Sequence, residues 1–528
     1  MVNIMHSLYT SVDGLRINQA GLSVVSNNIA NMNTEGFSKQ RIELQSLSYR
    51  AGSNSQLLQM QPGGVSIDRV TRYQDDILNG FIMQENSVYG YDQQMTANLT
   101  YIEGYMNEID GSGITGALQD YFEAAQSLAN DPTNKVARSN FVYQAENVAK
   151  EFNSKYNDLI SYRENLVGDG ITSTSVDNSQ VGHLTEDINN KLTQIVELNR
   201  QIAIFSSQQN VQPNSLLDKR QLLLDELAQQ IPITLRNQGP SIDIYMGNVQ
   251  LVEDDKQLGF FKAVPGGATN PGNPAVVTIV DKDDNLIMED YQAEFSTEQG
   301  KLKAILDVAG DTPLSIYQLI NQLNTLAQEF ARNVNSVQLS SDAGPPPQAS
   351  LSLNTTTNTL EPATENIFLN DPVTTGAYDV NLITAGNIVI NSVVKANPFE
   401  VATAYGAVDV VPNPTVATNP EAVGNNNNAL EFLKMRQLAI ATLDGLTVED
   451  KLYSIASQVG NDSSLMQARL DTQQNSLDQL YDKKQSLDGV SLDEELVDLL
   501  KYQKAYQAAA KVFSTVTQMM EVITNMVR

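Results

Sequence analysis

Apolar residues recur every seven positions at both ends of this 528-residue chain. Leu8, Leu15, Leu22 and Ile29 form one series, backed by Ile4, Val12, Val25 and Met32. At the other end Leu492, Leu499, Tyr506, Phe513, Met520 and Val527 form a second, with Tyr502, Ala509, Val516 and Ile523 three positions later. Interleaved sevenfold series of this kind lay one apolar seam along a helix. At ~1.5 Å per residue, Leu492 to Val527 would make a rod of about 50 Å. Two further series, Val88, Met95, Ile102 and Ile109 (beside Leu99 and Met106) and Leu452, Val459, Met466, Leu480 and Leu487 (beside Leu470 and Leu477, interrupted by Gln473), predict the core of a helical bundle. Chain ends fray unless something docks them. Seams at both termini therefore predict helices that pair with each other and offer their outer faces to further copies. The candidate assembly residues are Leu8, Leu15, Leu22, Ile29, Leu499, Tyr502, Tyr506, Phe513 and Met520.

Between the ends the period changes. Asp131 followed by Pro132 predicts a capped helix start, leading into Val142, Ala145, Val148, Phe152, Tyr156 and Leu159. Asn214 is placed to cap a helix whose Leu216, Leu223, Leu224 and Leu227 face inward, and Pro232 ends it. Alternation then appears: Ile242, Ile244 and Met246 before Gly247-Asn248, and Val249 and Leu251 after it, predict a hairpin. Val276 to Val280 and Leu286 to Met288 predict a second hairpin around Asp281–Asn285, with residues 263–274 as a loop. Gly63-Gly64 and Gly266-Gly267 read as turns, and Pro345–Pro347 and Pro412–Asn428 as linkers around a β-containing insert. The expected fold is mainly α, elongated and multidomain. Residues 1–60 with 490–528 form a terminal coiled-coil stalk, and 61–235 with 429–489 a helical domain. Then come a β-rich domain at 236–312, a long helix at 313–339 and a variable insert at 340–428.

Composition narrows the chemistry. Thirty-three basic against 62 acidic side chains give a formal charge of −29, which repels phosphate backbones and anionic lipid. Neither nucleic-acid binding nor membrane insertion is expected, and no run approaches the ~20 apolar residues of a membrane span. With no cysteine and only His6 and His183, disulfides, thiolate metal sites and cysteine nucleophiles are excluded. His183 reads as a capping or surface residue and His6 as a contact residue. Asp281, Asp283 and Asn285 match the first half of a calcium loop, but Leu286 stands where the glycine belongs and Gln292 where the glutamate belongs. No HExxH, GxSxG or phosphate loop appears. No catalytic, cofactor-binding or metal-ligating residue is assigned, and the chain is expected not to be an enzyme. The N-terminus lacks the basic and apolar segments of a secretory signal.

Ser26 to Arg41, SNNIANMNTEGFSKQR, closely resembles the signature of the flagellar rod, hook and hook-associated family. In that pattern a heptad helix runs into an Asn-Ile-Ala-Asn turn and a Gly-aromatic pair; here Asn31, Asn33 and Gly36 would stop the helix and Phe37 to Leu47 would be extended. Glu495 to Ile523 looks like the same family's C-terminal helix, with Tyr506, Ala508, Ala510, Thr515 and Met519 in place. Asn214 to Ile233, following Glu197 to Ile202, is similar to the hook-associated branch, and hook and rod proteins lack it. Asp131 to Thr133 with Arg138, and the helix from Leu314 to Val337, are similar to the same branch. The resemblance implies an extracellular flagellar subunit, exported through the flagellar channel and set between hook and filament. Its implied partners are the hook protein, a second junction protein, further copies of itself in a ring, and an export chaperone on the C-terminal helix. Two alternatives stand at this point: a hook or distal-rod subunit, and a secreted adhesin or hydrolase anchored by its ends.

Overall fold

The structure, a computed structural model, describes residues 2–48, 62–106, 112–209, 212–267, 275–294, 297–342, 348–355, 359–370, 379–407 and 424–526. The Ile4 and His6 side chains, Ile109, Pro345–Pro347, residues 412–423 and Val527 lie outside them.

Helix α1 (Val2–Ala30) pairs with the C-terminal helix (Leu492–Met526) as a two-helix stalk. Strands β1 (Gln40–Ser48) and β2 (Pro62–Arg72) follow as an antiparallel hairpin with two irregularities in register. Gly63 and Gly64 lie within β2 rather than in a turn: the run that follows, from Val65 to Arg72, pairs with β1 and carries the strand back through them.

Helix α2 (Asp76–Met106) is the spine of the helical body. It packs along the penultimate helix (Val448–Asp488), burying Met95, Leu99, Ile102 and Met106 on one side and Leu452, Met466 and Leu477 on the other. Gln473, which interrupts the sevenfold series, uses its amide to reach the Glu85 carbonyl at 3.1 Å. The body is completed by α3 (Gly113–Asn130), α4 (Lys135–Val167), a short α5 (Ser173–Asp177), α6 (Gln180–Gln209) and α7 (Asn214–Gln230). Asp131 does not start α4. Its N–H closes α3 onto Ser127, and Asn134 caps α4 by accepting from Val136 and Ala137. An asparagine three residues on wins because the intervening turn through Pro132 is needed to reverse the chain.

The predicted hairpins form a four-stranded sheet, β3 (Thr234–Gln238) to β6 (Lys256–Gln257), and a three-stranded one, β7 (Phe260–Pro265) to β9 (Leu286–Met288). Met246 pairs with Val249 across Gly247-Asn248, and Gly247 takes the positive φ of 56° that such a turn requires. After these sheets, a short α8 (Tyr291–Glu294) leads to α9 (Lys301–Ala309), which is buried from Leu302 to Ala309 against α2. Then α10 (Ile316–Gln338) buries Leu319, Leu323, Leu326, Phe330 and Val334.

The insert is sewn into the same core. Its strands β10 (Ser341–Asp342), β11 (Gln348–Asn354), β12 (Thr359–Pro362) and β15 (Ala404–Ala407), and the pair β13 (Phe368–Asn370) and β14 (Ile388–Ile390), bring Ile367, Phe368, Ile388 and Val401 into one cluster with the helical body. A thread of rings makes the join: Tyr121 lies 5.0 Å from Phe141 and 5.4 Å from Phe330, and Phe330 lies 5.4 Å from Phe368. Such offset pairs add directional packing to the area they bury. After Asn427–Lys434 and two short turns, the chain is helical to Met526 but for a break at residues 489–491. Among the described residues no helix is long and apolar enough to cross a membrane.

Candidate assembly site

The stalk is antiparallel, and its line of closest approach repeats every seven residues. Gly14 faces Ala509, where an added Cβ would sit 3.6 Å from the alanine methyl. Gly21 lies under the Tyr502 ring, which an added Cβ would meet at 2.5 Å. Asn28 meets Glu495 at 3.1 Å. A glycine here lets an aromatic ring rest on helix backbone, so the two axes come close. Small and polar residues thus fill the seam, and the apolar contribution is thin: of the stalk's described side chains only Val25 and Val516 are buried hydrophobics.

At its inner end the seam becomes a clasp. Asn28, fully buried, donates to the Gln40 carbonyl at 3.0 Å and to Glu495, while its own carbonyl accepts from Gln40 N–H at 3.0 Å. Lys39 adds ion pairs to Glu494 at 2.9 Å and Glu495 at 3.3 Å, and its N–H reaches the Asp488 carbonyl at 2.8 Å. Partial burial works against the Lys39 charge, but the hydrogen bonds to Glu494 and Glu495 outweigh it and hold its pKa above the usual lysine value. Hydrogen bonding from Lys39 holds the exposed Glu494 below the usual carboxylate value. The clasp continues into the body. Arg72 at the end of β2 pairs with Asp218 of α7 at 3.0 Å, both side chains buried, and Asn214 donates to the Val70 carbonyl at 3.1 Å. Asn214 therefore serves as a tie to β2 from within the helix, where Pro213 holds the cap position. The turn after α1 fits this frame: Gly36 takes a φ of 75° and rests on α7 at Leu222 and Asp218.

The family model described as "Flagellar hook-associated protein FlgK helical domain" matches residues 99–341. "Flagella basal body rod protein" matches 8–37, and "Flagellar basal body rod FlgEFG protein C-terminal" matches 488–526. The flagellar hook-associated protein 1 of Bacillus subtilis (strain 168) is 26% identical over 99% of both chains, and that of Salmonella typhimurium 24% over 98% of both. The solved flagellar hook junction protein FlgK from Burkholderia pseudomallei shares the fold, with a TM-score of 0.55 at 14% identity, over 78% of this chain and all of that one. Over nearly its whole length the chain is homologous to flagellar hook-associated protein 1, and its helical body matches that protein's family model. It is a structural component of the bacterial flagellum, outside the cell.

The motifs that resembled this family turn out to be ties between elements. Asn199, from the Glu197 to Ile202 stretch, accepts from Arg220 of the Asn214 to Ile233 stretch at 2.7 Å, and it donates to the Ile242 and Asp254 carbonyls. Arg138 is wholly buried and fixes the end of the insert to α4: it donates to the Val401 carbonyl at 2.7 Å, to Thr403 at 2.8 Å and to the Pro132 carbonyl at 2.6 Å. Burial pulls its pKa down to about 10, so it stays charged.

The leucine series sits one position round from the seam. Leu8, Leu15, Leu22 and Ile29 are half-buried along its flank, as are Leu499, Tyr502, Phe513 and Met520; Tyr506 is exposed. Only Tyr502 of these has a ring lying over a facing glycine. Beyond them the C-terminal helix exposes Leu496, Leu500, Val512, Met519 and Val522. Hydrophobic counting passed over Gly14, Gly21, Asn28 and Glu495, although their own sevenfold spacing is written in the sequence. In the Asp281 turn the carboxylate accepts from Asp283 N–H at 2.8 Å and from Asn285, so its oxygens close the turn. Among the described residues no cluster of His, Asp and Glu is arranged to hold a metal ion.

Proposed function

We propose that the chain joins the flagellar hook to the filament as a ring of copies, built by packing the stalk's outer face against neighbouring subunits. The observation that carries this is the mismatch within the stalk. Among their described side chains, two helices of 29 and 35 residues bury only Val25 and Val516 as hydrophobics, yet leave Leu496, Leu500, Val512, Met519 and Val522 in water. A helix pair so poorly covered is stable only when further surface is buried. The neighbours are copies of itself, the hook protein below and a second junction protein above. The half-buried leucine flank, Leu8 to Ile29, completes the contact with them.

Before assembly the same face would be a liability, so the chain travels the flagellar export channel unpaired. A chaperone shields the C-terminal helix until it docks. The chain acts through these contacts and not as an enzyme. Gold-labelled antibody on isolated flagella tests the placement. A single labelled band where hook meets filament is expected. Label along the whole hook or rod would keep the family and move the subunit; none on the flagellum would overturn the assignment.

A further inference from the structure

A cleft of about 880 Å³ opens between the start of α2, the body helices α6 and α7, and the β3–β6 sheet. That is the size of an ordinary ligand site, ~300–1,000 Å³. Its wall is unusual for a chain of charge −29. It gathers Arg69, Arg72 and Arg220, and among its described lining residues only Asp76 is acidic. The arginines differ in what they already hold. Arg69 is exposed and paired with Glu43 at 2.9 Å. Arg72 holds Asp218, but its buried Nε has no hydrogen-bond partner, and neither does the buried Ser87 Oγ in the same wall. Arg220 is 8% exposed and leans on neutral groups, the Asn199 amide oxygen at 2.7 Å and the Pro240 carbonyl at 3.0 Å. No carboxylate pairs with it among the described residues, and its charged neighbour is Arg72. Burial, with that repulsion, pulls its pKa down to about 10, so it remains a cation.

A buried guanidinium without a counter-ion is costly, and a carboxylate supplies the charge-assisted, fork-shaped partner it lacks. The rest of the wall is apolar where Met83, Leu217 and Leu224 line it, which a small free anion would leave uncovered.

We propose that this cleft docks an acidic, partly apolar segment of a protein partner, whose carboxylate reaches Arg220 and the free Nε of Arg72. This site is independent of the stalk, whose helices do not line it, so its failure would leave the assembly reading standing. The probe is a fluorescein-labelled peptide, acetyl-Leu-Glu-Leu-Asp-Glu-Leu-amide, titrated with the full chain by anisotropy at low salt. Arg220→Gln should weaken binding roughly tenfold or more, about 1.4 kcal/mol. Because Arg220 also ties the Pro240 turn, a second variant guards against misfolding. Gly80 lines the cleft, and a Cβ there meets nothing within 4 Å, so Gly80→Glu sets a carboxylate at the wall without displacing any packing. It should abolish peptide binding without lowering the melting temperature, since replacing a glycine inside α2 gains helix propensity. Failure of the peptide to bind the unaltered chain, or equal binding by the Gly80→Glu variant, would overturn the proposal. So would displacement by citrate at an affinity matching the peptide's, which would mark a small-anion site.

Discussion

The Asn28 amide donates to Glu495 Oε2 at 3.1 Å, a bond between residues 467 apart in the sequence. With its two bonds to Gln40, it fixes three things at once: the end of α1, the first residue of β1 and the start of the C-terminal helix. Asn28→Ala leaves Glu495, Gln40 N–H and the Gln40 carbonyl short of partners, at roughly 1–3 kcal/mol for each buried group. Amide exchange should show α1 and residues 492–526 losing protection while α3 and α4 keep theirs. Unchanged protection of the stalk would refute the clasp.

Gly14 and Gly21 look alike in sequence and should respond in opposite ways. At Gly14 an added methyl makes an ordinary contact with Ala509, so Gly14→Ala gains helix propensity, about 1 kcal/mol. At Gly21 it would strike the Tyr502 ring at 2.5 Å. Forcing that ring off the backbone costs about 1–3 kcal/mol and separates the helices. Circular dichroism on the two variants decides the matter: helicity should rise for the first and fall for the second.

Much of this was legible in the sequence because long apolar periods report buried helix faces faithfully. The α2 and penultimate helices, the hairpin at Gly247-Asn248 and the turn at Asp281 follow from period and turn chemistry alone. The stalk's seam did not, because hydrophobic periodicity assumes that the closest contact is the greasiest one. Here closeness comes from missing side chains at Gly14 and Gly21, and the leucines of the adjacent series are pushed to the flank. The Arg138 tie and the Asn199–Arg220 tie were visible only as family likeness. A single buried polar residue has no period to announce it, and its partners lie up to 265 residues away.

Arg138 should tolerate no neutral replacement. Arg138→Met keeps much of the stem but strands the Val401 and Pro132 carbonyls at roughly 1–3 kcal/mol each. Arg138→Lys restores charge but not the fork that spans Val401 and Thr403, so it should recover only part of the loss. Urea midpoints would order the three proteins Arg, Lys, Met. A lysine variant as stable as the parent would show that charge alone is used.

Asp92 predicts a pH effect with a definite sign. Burial pushes its carboxyl up to about 6, outweighing the attraction of Arg469, which it contacts at 2.9 Å; Glu298, on the same guanidinium, raises it further. An acid whose folded pKa lies above its unfolded value near ~3.9 is held more tightly protonated in the fold. Its contribution to stability is therefore greatest below about pH 4 and declines as pH rises to about 6. Asp92→Asn removes that decline. The stability difference, variant minus parent, should grow between pH 4 and 6 and then level off in urea titrations. A difference independent of pH would mean that Asp92 is ionised throughout.

Two faces of the C-terminal helix can be separated by where their variants fail. Tyr502 covers Gly21 inside the subunit, whereas Leu500 and Met519 stand in solvent on the isolated chain. Tyr502→Ala should therefore loosen the stalk of the monomer itself. Leu500→Gln with Met519→Gln changes side chains that are 55% and 52% exposed, so monomer stability should hold within about 0.5 kcal/mol for each, the usual range for surface changes. If copies pack through this face, the same double variant should fail to incorporate into flagella and leave filaments missing from otherwise normal hooks. The comparison is decisive because the monomer measurement removes misfolding as an explanation. Normal motility and normal labelling with the double variant would place the subunit contact on the flank of Leu8, Leu15, Leu22 and Ile29 instead.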